Sequence, residues 1–129
     1  MQFDVAALRR QTQAAIDAGR LALQAEEEQR RLAAEAWQRE AEAKAQGILA
    51  QLPAKVQQAV AKGRFECGVM QTYGIPDYDS YKNQGNPVHL RGAAKIVWEG
   101  VIAAGLTPVL VSNHDGFGEK SWHDMIAKW

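Results

Sequence analysis

The chain has 129 residues, 47% of them hydrophobic, with 15 basic against 15 acidic side chains, one cysteine and four tryptophans. This balance argues against a protein that grips nucleic acid or an anionic membrane through bulk charge. The single Cys67 excludes an intramolecular disulfide and any multi-cysteine zinc or iron–sulfur centre. No stretch approaches the roughly 20 apolar residues that span a bilayer. The segment after Met1 is polar rather than a basic end followed by an apolar run. The expectation is a protein of the cytoplasm, or of a host's cytoplasm if virus-encoded, with no membrane role.

Two unlike halves lie behind these averages. Residues 1–62 hold 17 alanines, 10 glutamines, two glycines and two aromatics, whereas residues 63–129 hold nine glycines and eight aromatics. The front carries a formal charge near +1 and the rear near −1 (9 basic against 8 acidic, then 6 against 7), so neither half gains a strong field by separation.

From Asp4 to Ala50 there is no proline and little β-branching, and the composition favours helix throughout. Asp4 can cap the start. Glu26 with Arg30, Glu27 with Arg31, Glu35 with Arg39 and Glu40 with Lys44 are acid-first pairs four residues apart, the stabilising orientation. A helix of this length, at about 1.5 Å per residue, outruns any small domain and must meet a partner or stand in water. Val5, Leu8, Thr12, Ala15, Gly19 and Ala22 keep the spacing of a coiled-coil seam. Continuing that register lands on Glu26 and Gln29. A second stripe resumes through Trp37, Ala41, Ala45, Ile48 and Leu52, and Leu21, Ala25 and Leu32 form a third. Val5, Leu8, Ala15, Leu23, Trp37 and Ile48 are therefore the candidate oligomerisation residues. Reversal as a hairpin near Gly19 is disfavoured, because one glycine without turn-forming neighbours seldom turns a helix.

Leu52-Pro53 predicts a break or kink, with a new short helix from Pro53 to Lys62 closed by Gly63. On this basis residues 1–52 are an oligomerisation or docking arm and residues 53–129 a small α/β domain. Phe65 to Thr72 alternates Phe65, Cys67, Val69 against Glu66, Gly68, Met70, which predicts a strand with one buried face. Asn86 and Pro87 predict the cap and first turn of a helix carrying Leu90, Ala93, Ala94, Val97, Trp98, Val101 and Ile102, ended by Gly105. Leu106 to Ser112 is continuously apolar, as a central strand is. Asn113, Asp115, Gly116 and Gly118 predict a hairpin turn into a last strand from about Lys120 to Trp129.

The expected fold is α+β. A long, coiled-coil-like amino-terminal helix precedes a small α-β-α-β-β domain whose three-stranded sheet is mixed, with the first two strands joined by a right-handed parallel crossover. Helices cover one sheet face, and Met70, Leu110, Trp122 and Ile126 are expected on the other. Such a core is marginal and calls for a partner or a second copy.

Parallel strands joined by a helix bring their carboxyl ends to one edge of the sheet, which makes the loop from Tyr73 to Asn86 and the turn from Asn113 to Gly118 neighbours. The candidate binding residues there are Tyr73, Asp77, Tyr78, Tyr81, His89, Arg91, His114, Asp115 and His123. The tyrosines offer flat area, and His89 and Arg91 sit near the free amides of a helix start. The plainer alternatives are a simple hairpin turn at Asn113 to Gly116 and a hydrogen-bonded strand histidine at His123. His89, His114, His123 and Cys67 lack compact metal-ligand spacing, so no metal and no cofactor is expected. Cys67 reads as a core residue, no serine sits in a nucleophile elbow, and no glycine-rich phosphate loop, RNP-type aromatic motif or GXXG loop is present.

The expected function is a non-enzymatic interaction protein, binding itself or another protein through the helical arm. The alternatives are a small-ligand or nucleotide binder, or hydrolase, at the loop edge of the sheet, and a nucleic-acid accessory protein using Arg9, Arg10, Arg20, Arg30 and Arg31. The interleaved glutamates oppose the last of these.

Overall fold

A computed structural model of the chain describes residues 1–75, 84–115 and 121–129. By its internal contacts the chain divides into two units, Met1–Gln38 and Arg39–Trp129, and helix α1 (Val5–Ala61) contributes to both. Asp4 caps α1 as expected, its Oδ1 accepting from the Ala7 amide at 3.1 Å. At the other end Gly63 turns left-handed, with φ of 71°, and the Arg64 amide donates to the Ala59 carbonyl at 2.9 Å. That bond satisfies a carbonyl the helix would otherwise leave open.

Pro53 lies inside α1, which runs on to Ala61. The expected new helix starting at Pro53 is therefore corrected to one continuous element. Proline forfeits one backbone hydrogen bond. Here that loss is outweighed by burial on both sides of it, since Ala45, Leu52 and Ala59 are buried and Ile48, Leu49 and Val56 pack beside them.

In the second unit, α2 (Gly92–Ala103) and three strands follow: β1 (Glu66–Thr72), β2 (Thr107–His114) and β3 (Ser121–Lys128). The strand order is β1-β3-β2, and both pairings are antiparallel. The sheet is thus wholly antiparallel rather than mixed. β1 and β2 run parallel, but β3 lies between them, so the apolar β2 is an edge strand and β3 is central. The physical reason is that β3 pairs antiparallel with β2, which precedes it in the chain, and its second edge pairs with β1, so both of its ladders are satisfied. The core contains Leu52, Val69, Leu90, Val97, Val101, Leu110, Met125 and Ala127, with α1 and α2 both contributing to it.

β1 departs from strict alternation. The register slips between Gly68 and Met70, a bulge that leaves Val69 without a Cα partner on β3. The slip brings Met70 and Thr72 onto the inner face that Val69 already occupies, whereas Phe65, expected inside, is 75% exposed. The expected helix from Pro87 is also divided. Asn86 Oδ1 accepts from the Val88 amide at 3.1 Å and caps a single 3-10 turn, Pro87–His89. Leu90 and Arg91 are then extended, and α2 begins at Gly92, whose φ of 56° suits glycine. The break lets Leu90 turn into the core, where it is 2% exposed. Gly105 closes α2 as Gly63 closes α1, with the Leu106 amide donating to the Val101 carbonyl.

Candidate functional site

Two regions of the second unit gather chemistry. The first is the sheet end reached by the carboxyl termini of β1 and β2. Although β3 separates them, both strands point to this end, and Thr72 and Ser112 flank His123 from opposite sides. His123 is buried, and the Thr72 hydroxyl donates to its carbonyl at 3.4 Å. Gln84 bridges to Val111 and the Gly85 amide donates to the Leu110 carbonyl at 2.9 Å, so Gln84 and Gly85 cover part of the outer edge of β2.

The expected binding residues separate here. His123 faces the core, so its ring is a structural neighbour of Gly85 and Leu110. Tyr73 is exposed, its hydroxyl donating to Gln71 Oε1 at 3.1 Å. His114 and Asp115 are exposed at the end of β2, and the His114 amide donates to Asn113 Oδ1. His89 and Arg91 are exposed, but the Arg91 guanidinium turns back on the Val88 and Leu90 carbonyls at 3.0 and 2.8 Å, stabilising the break before α2. Asp77, Tyr78 and Tyr81 lie outside the described residues. No group of three or more potential metal ligands occurs among the described residues.

The second region is an open groove of about 790 Å³ along β1, lined chiefly by Lys55, Phe65, Cys67, Met70, Met125 and Ile126. Lys55 reaches from α1 and donates to the Val69 carbonyl at 3.3 Å. A lysine and a bulge on an edge strand both discourage a further strand from adding there. Burial pushes the Cys67 thiol up from its ordinary value, opposed by the nearby Lys55 ammonium. Neither the groove nor the role of Lys55 was legible in the sequence, because both arise from a helix turn meeting a strand that is remote from it in register.

The remaining sheet face carries Val109, Val111, Trp122 and Ile126, all half-buried and outside the core cluster. Trp122 and Ile126 were expected there. Met70 and Leu110 were as well, but Met70 packs against the core cluster and Leu110 is 1% exposed within it. Asn113 Nδ2 donates to Asp124 Oδ2 at 3.1 Å across this face. The Trp122 indole N–H is buried without a hydrogen-bond partner among the described residues.

In the first unit every residue from 8 to 38 is exposed. Val5, Leu8, Ile16, Leu21, Leu23, Leu32 and Trp37 are 45–65% exposed, and Ala15 is open as well. Ile48, which the sequence placed with them, belongs to the second unit and packs against its core. Arg30 pairs with Glu26 as expected at 4.0 Å. Arg31 instead bridges Glu28 and Glu35, the latter at 2.7 Å. No helix among the described residues is long and apolar enough to cross a membrane.

No family model matches the chain, and no curated protein or solved structure matches it.

Proposed function

We propose that this is a non-enzymatic interaction protein of the cytoplasm, which oligomerises or docks through the helical arm of residues 5–38. One observation carries this reading: seven large apolar side chains of the arm stand 45–65% exposed. Each side chain of this size contributes about 1.5–3 kcal/mol when moved from water into a packed contact. Packing of an apolar face supplies most of the stability of helices in proteins. At about 100° per residue, Val5, Leu8, Thr12, Ile16, Leu23 and Trp37 fall within a sector of roughly 80°. The stripe follows the period of a straight helix, which is why a strict heptad register loses it after Ala22.

Size-exclusion chromatography with light scattering on the full chain tests the proposal. The expected mass is a multiple of 14.2 kDa, or a complex with another protein when the chain is recovered from its native cell. A monomer that binds no protein sinks it.

The groove along β1 favours a second reading, small-ligand binding by the α+β unit. Its volume lies within the range of roughly 300–1,000 Å³ typical of small-molecule sites, and Lys55 supplies a cation beside an apolar wall. A ligand panel read by thermal shift, repeated with Lys55→Met, tests it. A flat response across nucleotides, carboxylates and apolar anions removes it.

A further inference from the structure

We infer that the occupant of the arm's apolar stripe is a second copy of this chain, lying antiparallel, with a two-fold axis beside residues 19–23. The inference rests on the oligomerisation reading above and adds the identity and direction of the partner.

Charge along the arm is segregated. Residues 5–20 carry Arg9, Arg10 and Arg20 against Asp17, a net +2 (3 − 1). Residues 21–38 carry Glu26, Glu27, Glu28 and Glu35 against Arg30 and Arg31, a net −2 (2 − 4). Antiparallel pairing of two copies sets each positive half beside a negative one. Parallel pairing sets like against like, which is disfavoured at a helix interface.

The apolar stripe has the same symmetry. Reversing the arm about residue 21 places Val5 opposite Trp37, Leu8 opposite Ala34, and Leu23 opposite Gly19. Each contact occurs twice, as a two-fold interface requires. Two of these pairings set a large side chain against a small one, the arrangement that lets helices interdigitate. Among the described residues nothing lies within 4 Å of a Cβ placed at Gly19, so that position is open to a Leu23 from outside. Ile16 and Thr12 meet Glu26 and Arg30, which pair with each other at 4.0 Å and can lay their aliphatic stems over the neighbouring helix.

The test uses the full chain with Cys67→Ala, carrying either Leu8→Cys or Ala34→Cys. Under mild oxidation, mixing the two variants is expected to give disulfide-linked dimers joining one of each, while neither variant alone cross-links. Cross-linking of Leu8→Cys with itself indicates parallel arms and overturns the inference while leaving oligomerisation standing. A monomer mass for the unaltered chain overturns both. Leu23→Glu serves as a second variant, since Leu23 is 61% exposed in the single chain and lies outside the core cluster. It is expected to reduce the dimer mass to that of the monomer with unchanged helix content. An unchanged dimer mass removes the proposed axis.

Discussion

Gly85 lies against the ring of His123. A Cβ at position 85 would stand 2.8 Å from His123 Cδ2 and 3.1 Å from the Leu110 Cβ. The Gly85 amide is meanwhile held on the Leu110 carbonyl, so the backbone cannot retreat without breaking that bond. Gly85→Ala is therefore expected to destabilise the chain by about 1–3 kcal/mol, the usual cost of overpacking a core. Denaturant unfolding measures it. Combining Gly85→Ala with His123→Ala should cost less than the sum of the two, because the second change removes the obstructing ring. Strict additivity is the contrary result.

Gly100 of α2 approaches Leu49 of α1 so closely that a Cβ would fall 2.6 Å from Leu49 Cδ1. Gly100→Ala sets overpacking against a gain of about 1 kcal/mol in helix propensity. Leu49 must change rotamer to make room, so a net loss of about 1 kcal/mol is expected. In a Leu49→Ala background the same change should become stabilising. A sign that does not reverse would show that Leu49 is not what crowds the site.

Pro53 sits within a continuous helix, where it forfeits a backbone hydrogen bond. Pro53→Ala is expected to stabilise the chain by about 1–3 kcal/mol in chemical or thermal unfolding. A loss of stability would mean that the proline shapes the packing of Leu52 and Val56.

Cys67 combines a thiol pushed up by burial with a Lys55 ammonium that acts against that rise. With its folded pKa raised, the folded chain keeps a proton that the unfolded chain releases. This contribution to stability is complete below the ordinary thiol range and is lost as pH rises through the folded value. Alkylation at pH 8 should be slower than for an unfolded thiol. Lys55→Met should slow it further by removing the favourable charge. Rates measured from pH 7 to 10 check both statements, and faster alkylation in Lys55→Met contradicts the assignment.

Among the described residues every buried apolar side chain lies at Ala41 or beyond, and the second unit begins at Arg39. A chain of residues 39–129 is expected to retain a cooperative transition and the near-ultraviolet signal of Trp98 and Trp122. Non-cooperative melting of the shortened chain would show that the arm contributes to the core.

Much of the local structure was legible because it depends on neighbours in the chain. Asp4 starts α1, Gly63 and Gly105 end helices by adopting left-handed backbone, and Asn86 caps the turn at Pro87. The sheet end shared by β1 and β2 followed from the helix between them, although His123 was expected at its surface and lies in the core.

Composition and spacing alone determined that the chain is α+β, that its first half is helical, and that the helix carries more apolar surface than a solvated rod requires. Tertiary structure decided that β3 occupies the centre, that a bulge at Gly68 to Met70 turns Thr72 inward, that Leu90 interrupts a helix, and that Pro53 does not. Capping and period are short-range properties and are readable from a few residues. Strand order, bulges and the tolerance of a proline are settled by which distant surfaces exclude water together, which no local pattern encodes.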